Sequence, residues 1–132
     1  MRSRILFVSG RQDDARRLSQ MLDALPLTMD HVDTLDQARA KLQQSAYSVV
    51  LTEAALPDGN WLDMLHEARL LPHDLEVIVT DPHADARFWA EALNMGAYDL
   101  LSQPFYAPEV RRILFNACSR MEPQTRCMMA VV

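Results

Sequence analysis

Ser48-Val49-Val50-Leu51-Thr52-Glu53-Ala54-Ala55-Leu56-Pro57-Asp58-Gly59-Asn60 is the stretch that decides the fold. Its first five residues form an unbroken apolar and β-branched block, the pattern of a strand buried on both faces of a parallel sheet. Pro57-Asp58-Gly59-Asn60 is a dense turn signal, and a helical pattern from Trp61 to Leu71 follows it. A buried strand, a polar loop and a helix make one βα unit.

The same unit recurs on both sides. Upstream, Ile5–Val8 is a strand block, and residues 12–25 set Ala15, Leu18, Met21, Leu22 and Leu25 on one helical face, with Pro26 as the stop. Met29–Val32 is a weaker strand, and Thr34 with Gln37 opens a helix carrying Leu35, Ala38 and Leu42. Downstream, Glu76–Thr80 is a strand. A helix over 84–95, with Ala86, Ala90 and Leu93 inward, ends at Gly96. Tyr98–Leu101 is the last strand, and Pro108 opens a final helix with Val110, Ile113, Leu114, Ala117 and Met121 on one face. Five βα units imply a single doubly wound, flavodoxin-like (βα)5 domain, with a five-stranded parallel sheet and helices on both faces. Its expected limits are residues 1–121, and residues 122–132 read as a tail or the start of a linker.

Composition bounds the function. The chain has 132 residues and a formal net charge of −5. Its twelve Arg are scattered rather than clustered, so no nucleic-acid surface is expected. No apolar run nears the roughly 20 residues of a membrane span and no signal-peptide pattern opens the chain, so a cytoplasmic protein is expected. Cys118 and Cys127 have no metal-ligand spacing. His31, His66, His73 and His83 are scattered without a nucleophile or ligand set and are read as non-catalytic.

Three motifs together resemble the bacterial response-regulator receiver domain (CheY-like). Leu56-Pro57-Asp58-Gly59-Asn60 is similar to the loop after the family's phosphorylated aspartate. Gly96-Ala97-Tyr98-Asp99-Leu100-Leu101-Ser102-Gln103-Pro104-Phe105 resembles its glycine-alanine start to strand five and its lysine-proline-phenylalanine loop. Ile5-Leu6-Phe7-Val8 resembles the strand that leads to its acidic pair. The resemblance spans about residues 3–120.

That resemblance implies a phosphorelay signalling module of a two-component system, but with its chemical positions altered. The family's acceptor carboxylate works with Mg²⁺ held by further carboxylates, and with an ammonium group that stabilises the transferred phosphoryl. Here Ser9 and Gly10 stand at the acidic pair, Glu53 at the acceptor and Gln103 at the lysine. Asp81 falls at the switch hydroxyl, with Thr80 next to it, and Leu100 at the switch aromatic. The expectation is an atypical, non-enzymatic receiver without cofactor, binding Mg²⁺ weakly or not at all. A cognate histidine kinase is thereby put in doubt. Such a module would regulate by protein contact, through a C-terminal output domain (for instance a transcriptional one) or a separate partner.

Glu53 reads either as a partial mimic of a phosphorylated acceptor or as a satisfied polar remnant. Arg11 is a candidate charge partner for Glu53 or Asp81. Phe88 and Trp89 on the fourth helix, of which only one can point inward, and Phe115 on the fifth suggest an interface. A homodimer through the fourth helix, fifth strand and fifth helix is therefore expected. The rivals are a receiver with residual acceptor activity at Glu53 and, more weakly, a small-molecule-binding or enzymatic domain on the same fold.

Overall fold

In the computed structural model, residues 3–120 are described; Met121, Cys127 and the expected tail lie outside them. The strands are β1 (Ser3–Val8), β2 (Leu27–Val32), β3 (Val49–Glu53), β4 (Glu76–Asp81) and β5 (Asp99–Ser102). The helices are α1 (Gln12–Met21), α2 (Leu35–Gln44), α3 (Trp61–Arg69), α4 (Ala86–Met95) and α5 (Ala107–Arg120). The five strands form one parallel sheet, in the order β2-β1-β3-β4-β5, and a separate two-residue antiparallel pairing joins Ala55–Leu56 to Gly59–Asn60. The strand order reverses at β1, so the C-terminal ends of β1 and β3 border the crevice where such sheets hold their functional groups.

Alternation along each strand fills two cores. Leu6, Val8, Val50, Val77, Val79 and Leu100 face α2, α3 and α4. Ile5, Phe7, Val49, Leu51, Ile78 and Leu101 face α1 and α5. Leu51 is fully buried, and cutting such a side chain to alanine costs about 2–5 kcal/mol.

The five βα units are as the sequence indicates, with instructive local differences. The first helix ends at Met21 rather than at Pro26. Leu22–Leu25 turns instead, with a Leu25 N–H to Leu22 O bond of 3.0 Å, because β2 starts one residue after Pro26. On α4, Ala86 and Ala90 are exposed, contrary to the expected inner face. Phe88 and Ala92 take that role: Ala92 is fully buried, and Phe88 packs on Trp61 with ring centroids 5.7 Å apart. The reason is the start of the helix, which Asp85 fixes by accepting from the Phe88 amide at 2.8 Å. Gly96 closes α4 at φ 110°, a backbone that residues with a Cβ rarely adopt.

The Pro57–Asn60 turn does more than connect. Asp58 accepts from the Leu35 amide at 2.8 Å and the Asp36 amide at 3.0 Å, capping α2 from a distant part of the chain. The two N–H donors hold its carboxyl below the usual range. Asn60 caps α3 in a reciprocal box with Asp63. Gly59 lies so close to α2 that a Cβ there would sit 2.7 Å from Leu35 Cδ2.

Candidate functional site

The strand register assembles the site. Glu53 lies level with Thr80 across β3 and β4, and Thr80 with Leu101 across β4 and β5. Side chains alternate along a strand, so Thr80 shares the face of Ile78, and Glu53 that of Leu51. Ser9 and Gln103 directly follow the C-terminal ends of β1 and β5, at the same edge of the sheet.

Each carries a distinct set of bonds. Ser9 is fully buried and serves as a joint: its Oγ accepts from the Arg11 amide at 3.0 Å, and its amide donates to Val32 O at 3.0 Å. His31, non-catalytic in the sequence reading, supports that joint with its Nε2 2.8 Å from Ser9 O, which needs the proton on Nε2. Glu53 is half-buried, and its Oε1 accepts from the Gly10 amide at 3.0 Å. Thr80 is fully buried with Oγ1 unpartnered, and Gln103 Nε2 is likewise buried without a partner. Leaving a buried donor unpaired costs about 1–3 kcal/mol, so two together mark an edge that is not optimised for stability.

Asp81 lines the same cavity as Glu53 and Thr80. It stands at the rim, and its carbonyl accepts from the amides of Ala84 at 3.3 Å and Gln103 at 3.2 Å. The hydroxyl level with Glu53 is that of Thr80, one residue earlier. Gly10, Arg11, Glu53, Thr80, Asp81 and the Ala54–Pro57 loop enclose a cavity of about 410 Å³. Arg11 lines it but, among the described residues, forms no ion pair with Glu53 or Asp81.

Mg²⁺ needs a near-octahedral set of oxygens, commonly including carboxylates. Only Glu53 and Asp81 bring carboxylates to this cavity, and one Glu53 oxygen is held by Gly10. Among the described residues no group of three or more His, Cys, Asp or Glu could hold a metal, and Glu53 and Asp81 are the two carboxylates at this cavity.

The response regulator receiver domain family matches residues 5–115. The chain belongs to that family. Its sequence is 30% identical to the transcriptional regulatory protein KdpE of Staphylococcus aureus over 116 residues, covering 84% of this chain and 48% of KdpE. The receiver domain of an HD-domain protein from Pseudomonas fluorescens superposes with a TM-score of 0.81 at 27% identity, covering 92% of this chain and 98% of that one. The beryllofluoride-activated NtrC4 receiver domain dimer shares the fold, with a TM-score of 0.82 at 24% identity over 90% of this chain and 98% of that one. This receiver spans half or less of the length of the first curated relatives that it matches.

Around the receiver's site, Leu100 is buried at 8% exposure in the core under α2, α3 and α4. The expected aromatic interface divides. Phe88 belongs to the core rather than to an exposed surface. Trp89 is 48% exposed, and its indole N–H donates to Asp99 Oδ1 on β5 at 3.0 Å. Phe115 is 49% exposed, but one turn from Arg111, whose Nε donates to Met21 O of α1 at 2.8 Å. Phe115 shares the outer side of α5 with Arg111, the residue that reaches α1. Sequence reading missed Asp58 as a cap, whose partners lie more than twenty residues away.

Proposed function

We propose that this receiver regulates by protein contact and does not run a phosphorylation cycle. The observation that carries the reading is the state of the site edge. Ser9 is committed to backbone bonds, Gly10 offers only its amide to Glu53, and Gln103 supplies a neutral amide where an ammonium group would be needed. Electrostatic stabilisation is the main catalytic contribution available to such a site, and here it is missing. Glu53, held by the Gly10 amide and not hydrogen-bonded to Thr80, fits the satisfied remnant better than a mimic of a phosphorylated acceptor.

The module is then a non-enzymatic cytoplasmic receiver without metal or cofactor, contacting neither nucleic acid nor membrane itself. Among the described residues no helix is long and apolar enough to cross a membrane. Its effect passes to a protein partner or to an output domain such as the transcriptional regulators among its relatives carry. A cognate histidine kinase is not needed. We assign self-association to α4, β5 and the adjoining flank of α5, with Trp89 at its centre; the NtrC4 receiver is itself described as a dimer.

The test is intact-mass measurement after incubation with acetyl phosphate and Mg²⁺. No adduct is expected, and Trp fluorescence is expected to show no saturable change up to millimolar Mg²⁺. A phosphoryl adduct mapping to Glu53 would establish the rival reading, a receiver with residual acceptor activity. Replacing Trp89 by serine should turn any dimer into a folded monomer by light scattering. A native chain that is monomeric at high concentration, or a variant that still dimerises, removes this face as the interface. An enzymatic role has little support, because the Thr80 hydroxyl at the cavity is not hydrogen-bonded to Glu53 or Asp81 as an activated nucleophile would be to its base.

A further inference from the structure

Phe115 stands on the outer crest of α5. Val110, Ile113, Leu114 and Ala117 turn inward, none above 5% exposure. Helical residues follow one another at about 100°, which sends Phe115 nearly opposite that face. Residues three and four apart are surface neighbours, so Arg111 and Arg112 both flank the Phe115 ring. Arg111 bridges to Met21 of α1, and Arg17, one turn before Met21, adds a third exposed guanidinium. Among the described residues none of these three arginines is in an ion pair. Asp13 and Asp14, four and three residues from Arg17, line a shallow pocket with it and offset its charge, so Arg111 and Arg112 carry the positive charge beside Phe115; Glu109 turns to the other flank of α5.

From this placement we propose a second interaction surface on the α1–α5 side, centred on Phe115, that docks an acidic amphipathic segment of a partner protein. An exposed aromatic ring ringed by arginines is the composition that dominates binding energy at interfaces. Guanidinium groups take carboxylates in paired, directional hydrogen bonds, and the ring offers a landing place for a neighbouring apolar side chain. A partner with carboxylates beside leucine or phenylalanine matches both. Nucleic acid fits less well, because three arginines on a chain of net charge −5 give little lasting attraction for a polyanion. This surface is separate from Trp89 and does not depend on the state of Glu53.

A fluorescein-labelled helical peptide with glutamates and leucines on one face is the probe, read by fluorescence anisotropy against the whole chain. Saturable binding that weakens with salt is expected, and a peptide with lysines for the glutamates should not bind. Phe115→Ser and the pair Arg111→Glu and Arg112→Glu should each weaken binding about tenfold or more, the range of interface hot spots. Trp89→Ser should leave it unchanged. The proposal fails if the acidic peptide binds no better than the basic one, if Phe115→Ser has no effect, or if a single-stranded oligonucleotide binds more tightly than the peptide. All four substitution sites are exposed, and thermal melting of each variant separates lost binding from lost folding.

Discussion

The polar interior of this receiver is finished at one end of the sheet and unfinished at the other. Around Asp30, on the edge strand β2, every group has a partner. One oxygen of its carboxylate accepts from Arg4 at 2.8 Å and from Tyr47 at 2.6 Å, while the Arg4 guanidinium lies 4.8 Å from the Tyr47 ring centroid. At the C-terminal edge the pattern is reversed. The buried side-chain atoms without a partner among the described residues are Asp14 Oδ2, Thr80 Oγ1 and Gln103 Nε2, and they lie at the start of α1 and the ends of β4 and β5. Protein interiors satisfy nearly all buried polar groups, so unsatisfied ones gathered at one edge indicate that this edge was shaped for something other than stability.

Mutation should expose the contrast by the sign of its effect. Asp30→Ala removes a charged acceptor shared by two donors and should cost about 2 kcal/mol in urea unfolding, since hydrogen bonds to charged groups are the strong ones. Tyr47→Phe removes one of the two bonds from a residue only 2% exposed and should cost about 1 kcal/mol. Thr80→Val replaces an unpartnered hydroxyl by a methyl of similar shape, and should be neutral or stabilise by up to about 1 kcal/mol. A Thr80→Val variant that loses as much stability as Asp30→Ala would erase the distinction between the two ends.

Acidity and alkalinity sharpen the same comparison. The Tyr47 hydrogen bond holds the Asp30 carboxyl below its ordinary value, helped by Arg4. Its contribution is therefore complete above the unfolded carboxyl's pKa and is lost as pH falls through the folded one. Burial, with the bond to Asp30, pushes the Tyr47 phenol up to about 12. A raised phenol contributes fully below its unfolded value of 10.0 and loses that contribution as pH rises toward 12. Tyr47→Phe should flatten the alkaline side of the stability profile, and a profile unchanged between pH 10 and 12 would contradict the assignment.

The sequence made the sheet plain, because the Val49–Leu51 and Val77–Val79 blocks have no other stable burial. It left α4 in doubt of phase: Ala86, Ala90 and Ala92 are similar small residues, and the deciding capping bond from Asp85 is geometric. Of the site positions that the motifs single out, Gly10, Glu53, Thr80 and Asp81 line one cavity. The choice between Thr80 and Asp81 was not legible, because one residue of register moves a side chain to the other face of a strand. The strand pairing sets Glu53 level with Thr80, while Thr80 and Asp81 both line the cavity.

The Asp58 cap gives the receiver a built-in reporter. The amide protons of Leu35 and Asp36 are shielded from water by a carboxylate that belongs to the cavity's own loop. Each time that loop lifts, those two protons are free to exchange with solvent deuterium. Their exchange rate, read against the Gln37 amide that Thr34 holds within the same helix, clocks the opening of the cavity wall from a helix that takes no part in its chemistry.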